Sequence, residues 1–374
     1  MQRVLVLGSG LVGHAVAADL CGEFKVHVAD ADLHTLEAVS SSFSVTPIHA
    51  DLADSRRLRE LTRGFDVVVN ALPGHMGFSA LKELIENGNN VVDIAFSPED
   101  PFLLDDSAKR AGVTAVVDCG VAPGLCNMIL GHESKHLDLI ESYSCLVGGL
   151  PVERQWPWEY KAGFSPADVI EEYTRPCRMV QDGKLVVYPP LSGLERVEFK
   201  GIGTLEAFHT DGLRTLLKTM EIPNMKEKTL RYPGHASLME ILSGAGFFSR
   251  EEMEINNQRL APLDVTSAIL FPQWKMRRDE ADFTVMRIDI KGKSADSRVH
   301  RVFDLFDQFD WKTRTTSMAR TTGYTCSAVV RVLAEGRIER RGIIAPEHLG
   351  QMDGVFQRVR NLLDERGVKL SGDL

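Results

Sequence analysis

Val4-Leu5-Val6-Leu7-Gly8-Ser9-Gly10-Leu11-Val12-Gly13 opens the chain, and a second apolar run, Lys25-Val26-His27-Val28-Ala29, ends on Asp30. A buried strand runs into Gly-x-Gly-x-x-Gly, a helix comes next over Leu11–Cys21, and an acid closes the second strand. This is the order a dinucleotide-binding βαβ unit requires. Gly8 permits the tight turn off the strand, Gly10 lets the backbone approach a pyrophosphate, and Gly13 lets helix and strand pack closely. Ser9, Leu11 and Val12 share that cofactor-facing turn, and the helix start offers free N–H groups to phosphates. Asp30 is placed to hold the adenine ribose hydroxyls. Ala31 comes after it with no arginine, so the expected cofactor is NAD, because a carboxylate repels a 2′-phosphate.

Beyond this unit, strands and helices alternate: strands at Ser44–Ile48, Phe65–Asn70, Asn90–Ile94 and Val113–Asp118, helices near Leu33–Ser41, Ser55–Thr62, Phe78–Asn87 and Leu103–Ala111. Six parallel strands of a doubly wound Rossmann sheet are predicted, with ligand at their carboxyl ends. The loops there supply further cofactor candidates: Asp51 and Leu52, then Asn70, Ala71, Leu72 and Pro73, and later Gly120 and Ala122. Asp51 serves equally well as a helix cap. Asp93, at the end of the fifth strand, is either a turn acid or a group aimed into the crevice.

The 374 residues suit two domains rather than one core. A net charge of −9 argues against nucleic acid or an anionic membrane as partner. Lys275, Arg277 and Arg278 form a short basic cluster diluted by Asp279 and Glu280, a solvated loop. The six cysteines show neither Cys-x-x-Cys nor His/Cys ligand spacing, so no metal site and no disulfide framework are expected. No apolar run nears the ~20 residues a bilayer span needs, and the first strand leaves no room for a signal peptide; a cytoplasmic protein is expected.

After Gly120-Val121-Ala122-Pro123-Gly124 the pattern changes. Glu141–Val147, Val186–Tyr188, Leu194–Phe199 and Phe283–Ile290 alternate like half-exposed strands, which predicts a second α+β domain with an antiparallel or mixed sheet. A helix is expected from Asp211 to about Met220 and a long one over Met318–Leu333. Domains are expected at 1–122, 123–317 and 318–374, the last a helical segment.

Six stretches go beyond pattern: Asp118-Cys-Gly-Val-Ala-Pro-Gly124, Gly148-Gly-Leu-Pro151, Glu172-Tyr-Thr-Arg-Pro176, Glu206-Ala-Phe-His-Thr-Asp-Gly212, Thr229-Leu-Arg-Tyr-Pro-Gly-His235 and Ser317-Met-Ala-Arg-Thr-Thr-Gly-Tyr324. In this order they resemble the saccharopine dehydrogenase superfamily, and within it the lysine ε-dehydrogenase branch. The resemblance implies NAD-dependent oxidative deamination of the terminal amine of L-lysine, giving ammonia and a semialdehyde that cyclises to an imine. It also implies that the C-terminal segment, 318–374, returns to pack on the nucleotide domain, and that the protein is a homodimer or higher homo-oligomer.

Such chemistry needs an unprotonated amine, although a lysine ammonium has a reference pKa of about 10.4. It also needs a ligand for the α-carboxylate and activation of water. His209 and His235 are the imidazole candidates for proton transfer, with Asp93 and Tyr160 beside them. Arg175, Arg231, Tyr232, Asp211, Arg320 and Thr321 are the substrate-binding candidates. Each has a structural alternative: surface pairing for the arginines, helix capping for Asp211, and packing for Tyr160. Two other functions fit the same residues, a saccharopine-type oxidation of a secondary amine, which calls for additional cationic ligands, and a non-catalytic sensor of NAD.

Overall fold

The computed structural model describes every residue except Arg278, Asp296 and Leu374, so the Arg278 end of the basic cluster lies outside the described residues. The chain forms two compact units, residues 1–138 with 318–370 and residues 139–317 with 371–374.

The first unit is a parallel sheet built on Arg3–Leu7 (β1), Lys25–Asp30 (β2), Thr46–His49 (β3), Val67–Asn70 (β4), Asn90–Asp93 (β5) and Thr114–Val116 (β6). Its order is Gly342–Ile344, β6, β5, β4, β1, β2, β3, with every pairing parallel. The strand order reverses between β1 and β4, which sets the ligand crevice at their carboxyl ends. The central strands are buried throughout, as a sheet covered on both faces requires. The sheet has seven strands rather than six, because the C-terminal segment adds Gly342–Ile344 beside β6.

The helix Leu125–Glu133 also belongs to this first unit rather than to the second. A Cβ on Gly131 would lie 2.0 Å from the Glu347 carbonyl, and one on Gly350 2.1 Å from the Met128 carbonyl. Two helices therefore touch backbone to backbone, with Asn127 donating to the buried Glu347 carboxylate at 3.1 Å. The helix Ser317–Ala334 returns onto Leu11–Leu20 in the same manner: a Cβ on Gly323 would stand 3.3 Å from both Ala15 Cβ and the Val12 carbonyl. Arg331 fastens it, donating to Asp19 at 2.7 Å and to Glu23 at 2.7 Å, while Arg366 reaches the other Asp19 oxygen at 2.5 Å.

The second unit holds a mixed sheet whose strands run Glu195–Phe199, Gly203–His209, Met225–Arg231, Leu139–Pro151, Asp282–Ser294, Ser297–Gln308. Met225–Arg231 lies parallel to Leu139–Pro151, and the other pairs in this run are antiparallel. Helices Pro166–Thr174, His235–Gly244 and Pro262–Trp274 close a core of Tyr160, Tyr173, Phe208, Met239 and Trp274. The helix expected from Asp211 is a single turn, Leu216–Thr219. Asp211 caps nothing there, because its carboxylate accepts the backbone N–H of Arg178 at 3.0 Å and its guanidinium at 2.9 and 2.7 Å.

Candidate functional site

In the first unit the glycine turn has the geometry a nucleotide needs. Gly8 sits at φ +96°, where a Cβ would press to 2.6 Å on the Ala71 carbonyl, and a Cβ on Gly13 would lie 2.0 Å from the Gly8 carbonyl. Gly10 differs: it precedes the first helical residue, and nothing stands within 4 Å of where its Cβ would be. Two glycines thus fold the turn, and the third leaves open space over the helix N-terminus, a cradle suited to a pyrophosphate. Asp30 is tied into that turn. One of its oxygens accepts the Ser9 N–H at 2.6 Å and the Ser9 hydroxyl at 2.8 Å, the other the Asp32 N–H at 2.9 Å. These bonds hold the carboxylate beside the turn at the end of β2, so the residues fit the adenosine half of a nicotinamide dinucleotide.

The remaining loop residues divide. Leu11, Val12, Ala71, Pro73 and Ala122 lie around the carboxyl end of the sheet, Leu11, Val12, Ala71, Pro73 and Ala122 all partly exposed. Leu52 and Leu72 belong to the hydrophobic core, so their side chains pack and only their backbones remain for a ligand. Asp51 is exposed and accepts the Ala53 N–H at 3.0 Å within a turn, while the helix Ser55–Leu61 is capped instead by Asp54. Asn70 is fully buried and donates to the Gly77 carbonyl at 3.1 Å, while its own amide oxygen has no partner among the described residues. Asp93, 4% exposed, stands on the neighbouring strand, accepts the Ala95 N–H at 2.9 Å, and its carbonyl accepts the Cys119 N–H. Gly120 closes onto Gly124, and Thr322 lies 3.2 Å from where its Cβ would be. The long C-terminal helix therefore borders this end of the sheet, although Thr321 is buried and Arg320 donates to the Arg366 carbonyl at 3.0 Å.

In the second unit three candidates meet. The Arg231 guanidinium lies over the Tyr160 ring at 4.5 Å and donates to Glu172 at 2.7 Å. His235 is adjacent, its ring 5.1 Å from that of Tyr160. Its Nδ1 stands 2.8 Å from the Trp158 carbonyl, which can only accept, so Nδ1 carries the proton and Nε2 accepts the Tyr173 hydroxyl at 2.9 Å. Burial, with help from Arg231, lowers the imidazole to about 3. It is a neutral ring inside the core, 2% exposed. Burial raises Tyr160 well above the phenol range and raises Glu172 against the pull of Arg231.

The other candidates lie apart from this cluster. His209 lines a groove of about 440 Å³ on the open sheet face, with Tyr188 at 4.9 Å and Ser192 bonded to Nδ1. Burial, then Lys228 and Lys226, lower it to about 4. Tyr232 donates to the Pro151 carbonyl under the Arg154 guanidinium, and Arg175 ends its helix 3.5 Å from Glu171. Two carboxylates escaped the sequence reading. Glu172 opens the Glu172–Pro176 stretch but becomes significant only through Arg231, and Glu227 is a buried acid taking the Thr210 hydroxyl at 2.6 Å. Burial pushes Glu227 up to about 8, Thr210 opposing, with Glu172 and Asp211 adding to it.

A parallel nucleotide-binding unit with an acid at the end of β2, together with a mixed-sheet unit, is the architecture of a two-domain dinucleotide-binding protein. Residues 4–116 match the saccharopine dehydrogenase NADP binding domain and residues 120–368 the saccharopine dehydrogenase C-terminal domain. The chain belongs to the saccharopine dehydrogenase family.

The saccharopine dehydrogenase [NADP(+), L-glutamate-forming] of Pyricularia oryzae is 27% identical over 283 residues, covering 72% of this chain and 63% of the relative. The chain spans under a third of other, longer relatives. The carboxyaminopropylagmatine dehydrogenase of Synechocystis is 20% identical over 93% of both chains. The apo saccharopine dehydrogenase (L-Glu forming) of Saccharomyces cerevisiae superposes over 100% of both chains with a TM-score of 0.79 at 19% identity, which establishes the shared fold. Among the described residues no helix is long and apolar enough to cross a membrane, and no group of three or more His, Cys, Asp and Glu is placed to hold a metal ion.

Proposed function

We propose that this chain is an NAD-dependent amine dehydrogenase that oxidises the terminal amine of L-lysine. The observation that carries the cofactor choice is the charge of the segment from Val26 to Ser55. It contains no lysine or arginine and five acids, Asp30, Asp32, Glu37, Asp51 and Asp54. A 2′-phosphate needs a cation there, and this segment offers only repulsion. NAD is therefore preferred, in a family whose nucleotide domain is described by NADP.

The charge balance of the second unit supports the substrate. Arg231, Arg178 and Arg175 are matched by Glu172, Asp211 and Glu171. Such surroundings favour a substrate carrying a cation over one with a second carboxylic arm, which would demand surplus guanidinium groups. Bound NAD supplies the hydride acceptor. Asp93, at the crevice end of β5 beside Asn70, is the group we assign to take the ammonium proton, leaving a lone pair to drive hydride from the amine carbon. Water then adds to the resulting iminium, and ammonia leaves the aldehyde.

The test is growth of NADH absorbance with purified protein, NAD and L-lysine, run beside saccharopine, ornithine and NADP. Turnover with lysine and NAD supports the reading, and turnover confined to saccharopine or to NADP overturns it. The Synechocystis relative, whose name gives carboxyaminopropylagmatine as its substrate and which matches over 93% of both chains, makes oxidation of that compound the second reading. It belongs in the same substrate panel.

A further inference from the structure

The mixed sheet of the second unit has two faces with different neighbours. Pairing sets Ser142 beside Lys291, Ser144 beside Asp289 and Lys226, and Leu146 beside Arg287 and Lys228, with His209 next to Lys228; residues paired across strands share a face. Glu227, Thr229 and Arg231 alternate to the other face, where Arg231 lies over Tyr160 with His235 adjacent. The first face is concave. Arg287 and Phe199 stand on strands four steps apart in the sheet, ~19 Å in a flat one, yet the guanidinium carbon lies 4.8 Å from the Phe199 ring centroid. The sheet therefore curls, and Leu150, Leu205, Leu230 and Val285 pack with Phe199 in the hollow. Beyond them the hollow stays open as the groove of about 440 Å³ that His209 lines, a size within the range of about 300–1,000 Å³ that small-molecule sites occupy.

The charges in this groove do not cancel. Lys226 and Lys228 share one carboxylate, Glu195. Lys228 stands 2.7 Å from it with its side chain 5% exposed, whereas Lys226 is 3.5 Å away and 44% exposed. Arg287 is committed to Asp304, donating twice at 2.7 and 3.0 Å, and Asp289 lies 2.7 Å from His300 Nε2. Lys226 is thus the cation with charge to spare. Beside it, the Ser144 and Ser142 hydroxyls line the groove and take part in no side-chain hydrogen bond among the described residues. An ammonium and two hydroxyls side by side are donors suited to a carboxylate. Glu195 and Asp289 flank the row, so a monoanion is tolerated better there than a phosphate dianion. Tyr188, Met179 and Val197 supply an apolar wall.

We propose that this groove is a second ligand site, which takes a small monocarboxylate with an apolar body. The carboxylate is held by Lys226 Nζ and the Ser144 and Ser142 hydroxyls, and the body lies against Tyr188, Met179 and Val197. The sheet itself separates this occupant from Arg231, Tyr160 and His235, so the groove is an effector site and no part of a substrate pocket at that cluster. One strand links the two faces: along Met225–Arg231, Lys226 and Lys228 face the groove while Glu227 and Arg231 face away from it. The proposal is independent of which amine the chain oxidises.

The experiment is isothermal titration calorimetry of the full chain with benzoate, 3-phenylpropionate and 5-phenylpentanoate, a series that varies the length of the apolar body. At least one is expected to bind, one per chain, with Kd below about 1 mM, and to bind equally well with NAD and L-lysine at saturation. Lys226→Met and Ser144→Ala should each weaken it at least about tenfold. Both variants should keep the NAD affinity and ligand-free melting temperature of the wild type, since Glu195 retains Lys228 as its partner. Two controls on the unmutated protein do not depend on variant folding: 3-phenylpropylamine, which reverses the charge, and phenyl phosphate, which doubles it, should both bind more weakly than the best carboxylate. No binding below about 10 mM by any carboxylate of the series overturns the proposal. So do affinities unchanged in both variants, tighter binding of the amine or the phosphate ester, and displacement of the carboxylate by L-lysine, which would make the groove part of the substrate site.

Discussion

Replacing Asp30 by asparagine keeps the shape of the side chain and removes one charge from the cofactor site. In the wild type the carboxylate accepts from Ser9 N–H, Ser9 Oγ and Asp32 N–H, so it is held in place and cannot swing away from a 2′-phosphate. Two like charges ~4 Å apart repel by about 1 kcal/mol in a water-like medium and about 4 kcal/mol at an effective dielectric of 20. Asp30 is partly exposed and falls between these limits, at about 2 kcal/mol, which is roughly thirtyfold in kcat/KM for NADP. The neutral amide also accepts ribose hydroxyls about half as strongly as a carboxylate, a loss of about 1 kcal/mol or fivefold for NAD. The NAD/NADP ratio of kcat/KM should therefore fall on the order of a hundredfold. Absorbance of NADH and NADPH under matched amine saturation measures it, with melting temperature followed to register loosening of the Ser9 anchor. A ratio unchanged within about threefold, or a wild type that already prefers NADP, refutes the assignment of Asp30 as selector.

Gly13→Ala brings a Cβ to 2.0 Å from the Gly8 carbonyl; backbone must move, and NAD affinity by fluorescence titration should fall more than about tenfold, at about 1–3 kcal/mol of strain. Arg331→Met leaves Asp19 and Glu23 without their shared partner at a 2% exposed site; breaking such a buried pair costs about 3–5 kcal/mol, partly relieved here by Arg366, and denaturant unfolding should register at least about 2 kcal/mol. Glu227→Gln tests a pH effect of defined sign. The folded carboxyl titrates near 8 against an ordinary value of 4.5, so the folded state holds the extra proton. Wild-type stability therefore declines as pH rises from about 4.5 to 8, by on the order of a few kcal/mol, and the variant should lose that decline in urea titrations at pH 5, 7 and 8.5. His235, lowered to about 3, acts in the other direction, its contribution present above about 6.5 and lost as pH falls toward 3. His235→Gln should flatten only that acid limb.

What the sequence made legible was what neighbours along the chain decide. The turn from Gly8 to Gly13, the strand ending at Asp30 and the strand–helix alternation after it are each local, and the fold of the first unit is built from them. Gly342–Ile344 escaped because a three-residue edge strand has no period to detect; it exists because β6 has an open edge more than 200 residues earlier in the chain. Asp211 has the look of a helix cap from its local neighbours, yet Arg178, 33 residues away, claims its carboxylate. Glu172 and Arg231 lie 59 residues apart, and nothing local marks either as the other's partner.

That pairing also bears on how a substrate carboxylate can be held. Were a ligand to draw the Arg231 guanidinium away, Glu172 would be left as an uncompensated anion beside Tyr160 and Tyr173, at a cost of about 3–5 kcal/mol. This exceeds what one charge-assisted hydrogen bond to the ligand returns, about 1.5–3 kcal/mol. The exchange becomes favourable only if Glu172 takes up a proton as Arg231 turns, and burial already raises its pKa in that direction. Carboxylate binding at Arg231 would therefore be proton-linked and strengthen as pH falls, whereas an arginine that only braces the core would leave KM indifferent to pH in that range. The residue type pointed to a ligand; the partner it found in the fold determines the conditions under which it can serve as one.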